Sequence, residues 1–128
     1  MKKLLVLGGG PAGVMAAITA AKRGVPVALA ERRNRLLNKL RISGKGRCNL
    51  TNAVDPQKFE QNIVRNGAFL RSSFHAFDNA ALMAFIENLG VALKVERGQR
   101  VFPQSDDANE IAQALCDELQ TCGVELLY

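Results

Sequence analysis

The chain has 128 residues, 48% of them hydrophobic, with no Trp, one Tyr and a formal net charge of +5. That length suits one domain able to bury an aliphatic core, and the absence of repeats and low-complexity runs excludes solenoids and disordered tails. Three cysteines (Cys48, Cys116, Cys122) without a C-x-x-C pair, and a lone His75, exclude a disulfide framework and a zinc site and predict a reducing compartment with free thiols. No metal is expected.

The charge is unevenly placed. Residues 1–50 carry eleven Lys/Arg against one acid, Glu31, a net +10, while residues 51–128 carry six against eleven, a net −5. A basic half suits a polyanionic ligand or nucleic acid, or simply a solvated face. Few aromatics interleave with the cations, which argues against a single-strand nucleic-acid platform.

In chain order, residues 3–7 form an apolar run, the pattern of a parallel strand buried on both faces. Lys2-Lys3 and the uncharged stretch after them raise the question of a signal peptide or membrane span. Gly8-Gly9-Gly10-Pro11 would break either, so no membrane partner and a cytoplasmic location are expected. Pro11 suits the first turn of a helix running to about Arg23, rich in alanine and stopped at Gly24. Val25 to Ala30 then read as a second strand ending at Glu31.

Gly8, Gly10 and Gly13 fit G-x-G-x-x-G between that strand and that helix, and Glu31 follows eighteen residues after Gly13. Gly8 permits the turn, Gly10 lets a pyrophosphate approach, and Gly13 lets helix and strand pack. Pro11 and Ala12 complete the helix N-terminus, whose unpaired N–H groups attract phosphate. A carboxylate at position 31 accepts hydrogen bonds from an adenosine ribose and repels a 2′-phosphate, so NADP is disfavoured at this site while NAD and FAD both stay open.

Arg32-Arg33-Asn34-Arg35 is strongly basic, and Leu36 to Ile42 suit a short helix. Ser43 to Asn52 read as a loop. Arg41, Lys45 and Arg47 can offer cations to phosphates, and the Gly44 and Gly46 amides can approach closely. Asn49, Thr51 and Asn52 carry groups suited to a heterocycle edge. Cys48 reads as a small packed residue, with no partner cysteine nearby for redox work.

Further on, Asp55-Pro56 open a helix over 56–65, a second helical stretch covers 67–76, and Asp78 caps a third with Leu82, Phe85, Ile86 and Leu89 on its apolar face. Val91–Glu96 and Arg100–Phe102 predict a small hairpin around Arg97-Gly98-Gln99. Ser105 is expected to cap the last helix, with Asp106 and Asp107 in its first turn and Ile111, Leu115 and Leu119 buried. Val124 to Tyr128 begin a strand, and a strand there suits the N-terminal portion of a longer enzyme.

Two stretches resemble a known family. Ser43-Gly44-Lys45-Gly46-Arg47-Cys48-Asn49-Leu50-Thr51-Asn52 and Val95-Glu96-Arg97-Gly98-Gln99-Arg100-Val101-Phe102-Pro103-Gln104-Ser105-Asp106 are similar to the two signatures of the BaiN/RdsA flavoproteins, also called aminoacetone oxidase-like or YhiN-like. Asn38 and Lys45 stand where glycine is common in that family. The resemblance implies an α/β fold, a partial, Rossmann-like FAD/NAD(P)-binding domain of the glutathione-reductase-like type, with a parallel sheet, flanking helices and a small hairpin. It implies that residues 1–128 are the N-terminal part of an FAD-binding domain in a chain roughly three times as long, and that FAD is the cofactor, with NAD(P)H a candidate electron donor and a small molecule the substrate. Gly8, Gly10, Pro11, Ala12, Gly13, Glu31 and Arg32 would hold the ADP half. Lys39, Ser43, Gly44, Gly46, Arg47, Cys48, Asn49, Thr51 and Asn52 would pass the pyrophosphate towards the flavin. No side chain is singled out as a catalytic acid or base. The alternative is a non-catalytic Rossmann-like nucleotide- or nucleic-acid-binding module.

Overall fold

The computed structural model describes residues 2–128. Strand β1 (Leu4–Leu7) runs into helix α1 (Pro11–Lys22) and back into β2 (Val27–Ala30), paired in parallel with β1 in the register Leu4 with Val27 and Leu7 with Ala30. The last helix, α6 (Ala108–Thr121), delivers β6 (Glu125–Leu127) to the other side of β2, again in parallel. The parallel sheet therefore has the order β1-β2-β6. β1 reaches β2 through α1, and the long connection from β2 enters β6 through α6, the kind of crossover that parallel strands require.

Between these halves lie α2 (Asn38–Ile42), a 3₁₀ turn over Ser43–Gly46, β3 (Thr51–Asn52), α3 (Pro56–Phe59), α4 (Arg71–Ala76) and α5 (Asn79–Asn88). The hairpin β4 (Leu93–Glu96) and β5 (Arg100–Pro103) forms as expected, but it has a third member. Thr51 and Asn52, read above as loop, pair antiparallel with Val101 and Arg100, giving a second sheet of order β3-β5-β4. The 56–65 helix is shorter than expected: α3 gives way to a 3₁₀ turn at Glu60–Asn62.

The core lies where α1 and α6 meet the parallel sheet. Val14, Ala17 and Ile18 of α1, Ile111, Leu115 and Leu119 of α6, and Val27 and Leu29 of β2 are all buried. The spacing along α6 is that of one helical face, so the periodicity placed this core correctly. The expectation that β1 is buried on both faces does not hold. Val6 turns towards α1, while Leu5 and Leu7, which alternate with it, are 55% and 78% exposed. The apolar run was the signal for a two-sided strand. Among the described residues helices cover one face of β1 only.

The last helix also starts differently. Asp107, not Ser105, caps α6, its carboxylate accepting the Asn109 N–H at 2.9 Å. Asp106 stands outside the helix with φ +60 and binds cations from two other segments. Electrostatics across the fold outweighed the helix dipole at that position.

Candidate functional site

The site starts from the turn after β1. Gly8 has φ +103, a backbone state that side chains rarely adopt, and its N–H is bonded to Ala30 at the end of β2. A Cβ on Gly13 would lie 1.9 Å from the Gly8 carbonyl oxygen, so the helix seats on the turn only because residue 13 has no side chain. A Cβ on Gly10 would meet nothing within 4 Å. Gly10 is therefore not needed for internal packing. Its empty side faces the space in front of α1, whose first N–H groups have no partners within the helix. The positive end of this twelve-residue helix is open to an anion.

Glu31 closes the other end of this site. Its Oε2 accepts the Gly9 N–H at 2.9 Å and its Oε1 the Arg33 N–H at 3.0 Å. These two N–H groups, Arg33 first, hold the carboxyl below the usual carboxylate range, so it is ionised at neutral pH. Each carboxylate oxygen keeps further acceptor capacity for a ligand hydroxyl. Gly8, Glu31 and Arg32 line a hollow of about 490 Å³ with Leu7, Ala30 and Tyr128, at the carboxyl ends of the parallel strands. That is where open α/β sheets bind ligands.

A second, larger groove of about 1060 Å³ begins at the same helix end. Pro11, Ala12, Met15 and Ala16 form one wall. Lys39, Ser43, Cys48 and Asn49 form part of the facing wall. Its size is at the upper end of that of small-molecule sites. Cys48 is buried, and burial pushes its thiol above its ordinary value, so it packs and is not primed as a nucleophile.

The predicted site residues thus separate into groups. Gly8, Glu31 and Arg32 line the hollow at the strand ends, Lys39, Ser43, Cys48 and Asn49 join Pro11 and Ala12 along the groove, and Gly10 and Gly13 lie at the start of α1. Gly44 and Gly46 shape the loop behind that wall, both at positive φ. The Asn52 and Arg47 side chains are engaged elsewhere. Asn52 donates to the Gly98 carbonyl at 2.9 Å and accepts from Val54 N–H, and Thr51 lies in β3. Arg47 is held by Glu96 and Asp106 over the Phe102 ring.

Gly9 was not among the residues singled out in sequence. Its N–H orients Glu31, and a Cβ there would come within 2.4 Å of Leu36 Cδ2 and 3.0 Å of Glu31 Oε2. The signal was the middle glycine of the run Gly8-Gly9-Gly10, an unrestricted position in G-x-G-x-x-G. Asn79 was also missed. Buried at the start of α5, it donates to the carbonyls of Asn52 and Val54, both at 2.7 Å, and so fixes the exit of the loop.

Comparison with known proteins bears on the fold that carries this site. Residues 2–128 match the family described as HI0933-like protein Rossmann domain, a stretch that includes both signatures. The chain is 31% identical over 129 residues to a 3-dehydro-bile acid delta(4,6)-reductase of Clostridium scindens, covering 98% of this chain and 31% of that protein. It is 25% identical over 124 residues to a ribosomal RNA dihydrouridine synthase of Haemophilus influenzae, covering 96% of this chain and 30% of the other. The chain spans about a third of the length of these relatives. The crystal structure of Thermovibrio ammonificans THI4 superposes with a TM-score of 0.63 at 17% identity, over 98% of this chain and 37% of that one, which bears out the Rossmann-like fold.

Proposed function

The chain belongs to the HI0933-like Rossmann-domain family of flavin-dependent oxidoreductases, and we propose that it binds FAD as the N-terminal part of that family's cofactor domain. In this reading Glu31 takes the adenosine ribose, the Gly8–Gly13 turn and the α1 N-terminus take the pyrophosphate, and the groove beside Ser43, Cys48 and Asn49 takes the flavin-bearing half. The observation that carries it is the pairing of an open Gly10 with an ionised Glu31 across one turn. The residues present fit the group: the backbone at Gly10 stands open beside the α1 N-terminus with no side chain in the way, and the carboxylate has the sign and place for a ribose.

FAD, when bound, supplies two-electron redox chemistry that no side chain here offers. The chain's own groups bind and orient. The α1 amides and its dipole offset phosphate charge, Glu31 selects a free 2′-hydroxyl over a 2′-phosphate, and Met15 and Ala16 give the groove an apolar wall. The reaction class is hydride transfer from NAD(P)H to flavin and on to a small substrate, completed by polypeptide of the kind the longer relatives carry.

The test is titration of the purified protein with FAD, followed by flavin fluorescence and calorimetry. Saturable binding is expected, with Glu31→Ala weakening it at least tenfold; no saturable binding would sink the proposal. A second reading has one observation behind it: Arg32, Arg33, Arg35 and Lys45 are exposed and cationic. As a nucleic-acid module the chain would bind RNA with a steep salt dependence, independent of Gly10.

A further inference from the structure

The Ser43–Asn49 loop follows a path that its backbone does not favour. Gly44, Lys45, Gly46 and Cys48 have φ of +56, +57, +84 and +60, and two of these four are not glycine. Residues stay in such states only where the surroundings over-determine them.

The surroundings here centre on Arg47. Its guanidinium carbon lies 3.9 Å from the centre of the Phe102 ring. Its Nε donates to Asp106 Oδ1 at 2.8 Å, and its Nη2 donates to Glu96 and lies 2.7 Å from the same Asp106 oxygen in an ion pair. Lys94 Nζ sits 2.8 Å from Asp106 and 3.2 Å from Glu96, so two cations balance two acids and Arg47 has no charge left for a phosphate. Gly44 rests on the same ring: a Cβ there would come within 3.4 Å of Phe102 Cε1 and 2.6 Å of the Asn49 nitrogen. Ser43, Cys48 and Asn49, by contrast, line the groove opposite Pro11 and Ala12.

We infer that Arg47 is a positioning residue for the groove. It ties the back of the loop to the β4–β5 hairpin, and the loop's other side then stands at a fixed distance from the α1 N-terminus. The inference rests on the proposal that this groove takes the flavin-bearing half of the cofactor. Arginine suits the task and lysine does not, because a planar guanidinium can stack on a ring and donate in its own plane at once. The two signature stretches thereby have one physical reason to occur together: the first holds the arginine, and the second holds Glu96, Phe102 and Asp106.

The experiment compares wild type with Arg47→Met, Arg47→Lys and Glu96→Gln, reading FAD affinity, ADP affinity and amide hydrogen exchange in the ligand-free protein. Arg47→Met should weaken FAD at least tenfold while ADP, which needs only the glycine turn and Glu31, stays within twofold. Exchange should quicken at residues 43–49 and not at 8–13. Arg47→Lys should fail to restore FAD binding, and Glu96→Gln should move both readouts in the same direction by less. Unchanged loop exchange, or equal losses for FAD and ADP, would overturn the inference. If wild type binds ADP but no FAD, the proposal for the groove fails, and the exchange measurement alone decides whether Arg47 sets the loop.

Discussion

Gly10→Ala against Gly13→Ala separates the ligand's demand for glycine from the fold's. Gly10 sits at φ −80 and ψ −178, which alanine adopts freely, and its Cβ would touch nothing. The unfolded chain loses freedom, worth about 0.4–1 kcal/mol in favour of the variant. Alanine is a poorer N-cap than glycine by a similar amount. Stability should therefore change by less than ~1 kcal/mol. The new methyl would stand where the pyrophosphate is proposed to lie. Overpacking of this kind costs about 1–3 kcal/mol, and that corresponds to roughly 5- to 150-fold weaker FAD binding. Gly13→Ala behaves oppositely. Its Cβ would lie 1.9 Å from the Gly8 carbonyl oxygen, a backbone atom that can move only if the turn separates from α1. A loss of ~3 kcal/mol or more is expected, whatever the ligand. Urea denaturation of both variants without ligand, followed by FAD titration of Gly10→Ala, reads these quantities directly. Wild-type FAD affinity in Gly10→Ala, or equal destabilisation of the two, would refute the assignment of Gly10 to the ligand.

Two further outcomes follow from the same geometry. Leu119→Ala, at a position fully buried where α6 meets the core, should lower unfolding free energy by about 2–5 kcal/mol in urea, and a loss below ~1 kcal/mol would show that the core was misplaced. For pH, Glu96 is held below its ordinary 4.5 by Arg47 and then Lys94, and Asp106 below its ordinary 3.8 by Lys94 and then Arg47. Carboxyls depressed in the folded state contribute stability that is complete above their unfolded values and lost as pH falls through the folded ones. The thermal advantage of wild type over Arg47→Met should thus be constant from pH 7 to about 5 and vanish only below the ordinary carboxylate range. An advantage that already declines at pH 6 would point to a different group.

Much of the β1-α1-β2 unit was legible because each signal there is local: an apolar run, a turn that only glycine fits, a proline at the first helical position. Residue types and spacing carry that information directly. The pairing of Thr51–Asn52 with β5 was not legible, since a two-residue strand has no period and depends on a hairpin about fifty residues away. Arg47 was read as a free cation because sequence shows charge and not its partner. Glu96 and Asp106, which absorb that charge, lie 49 and 59 residues further on. The start of α6 shifted for the same reason: Asp106 looked like a first-turn acid until a contact distant in sequence claimed it. The exposure of Leu5 and Leu7 shows the limit of reading burial from hydrophobicity alone.

The bond from the Gly9 N–H to Glu31 has a consequence for how such a chain can change over generations. The acid that would choose the nucleotide also latches the turn that would bind it, and Leu36 leaves no room for a side chain at position 9. Exchanging Glu31 for a neutral or basic residue, the obvious single step towards a 2′-phosphorylated partner, removes an acceptor from a buried N–H and loosens the glycine turn with it. Nucleotide preference and turn rigidity are thus epistatic. A lineage could shift the first only by passing through a weakened intermediate, or by first acquiring a second acceptor for the Gly9 N–H.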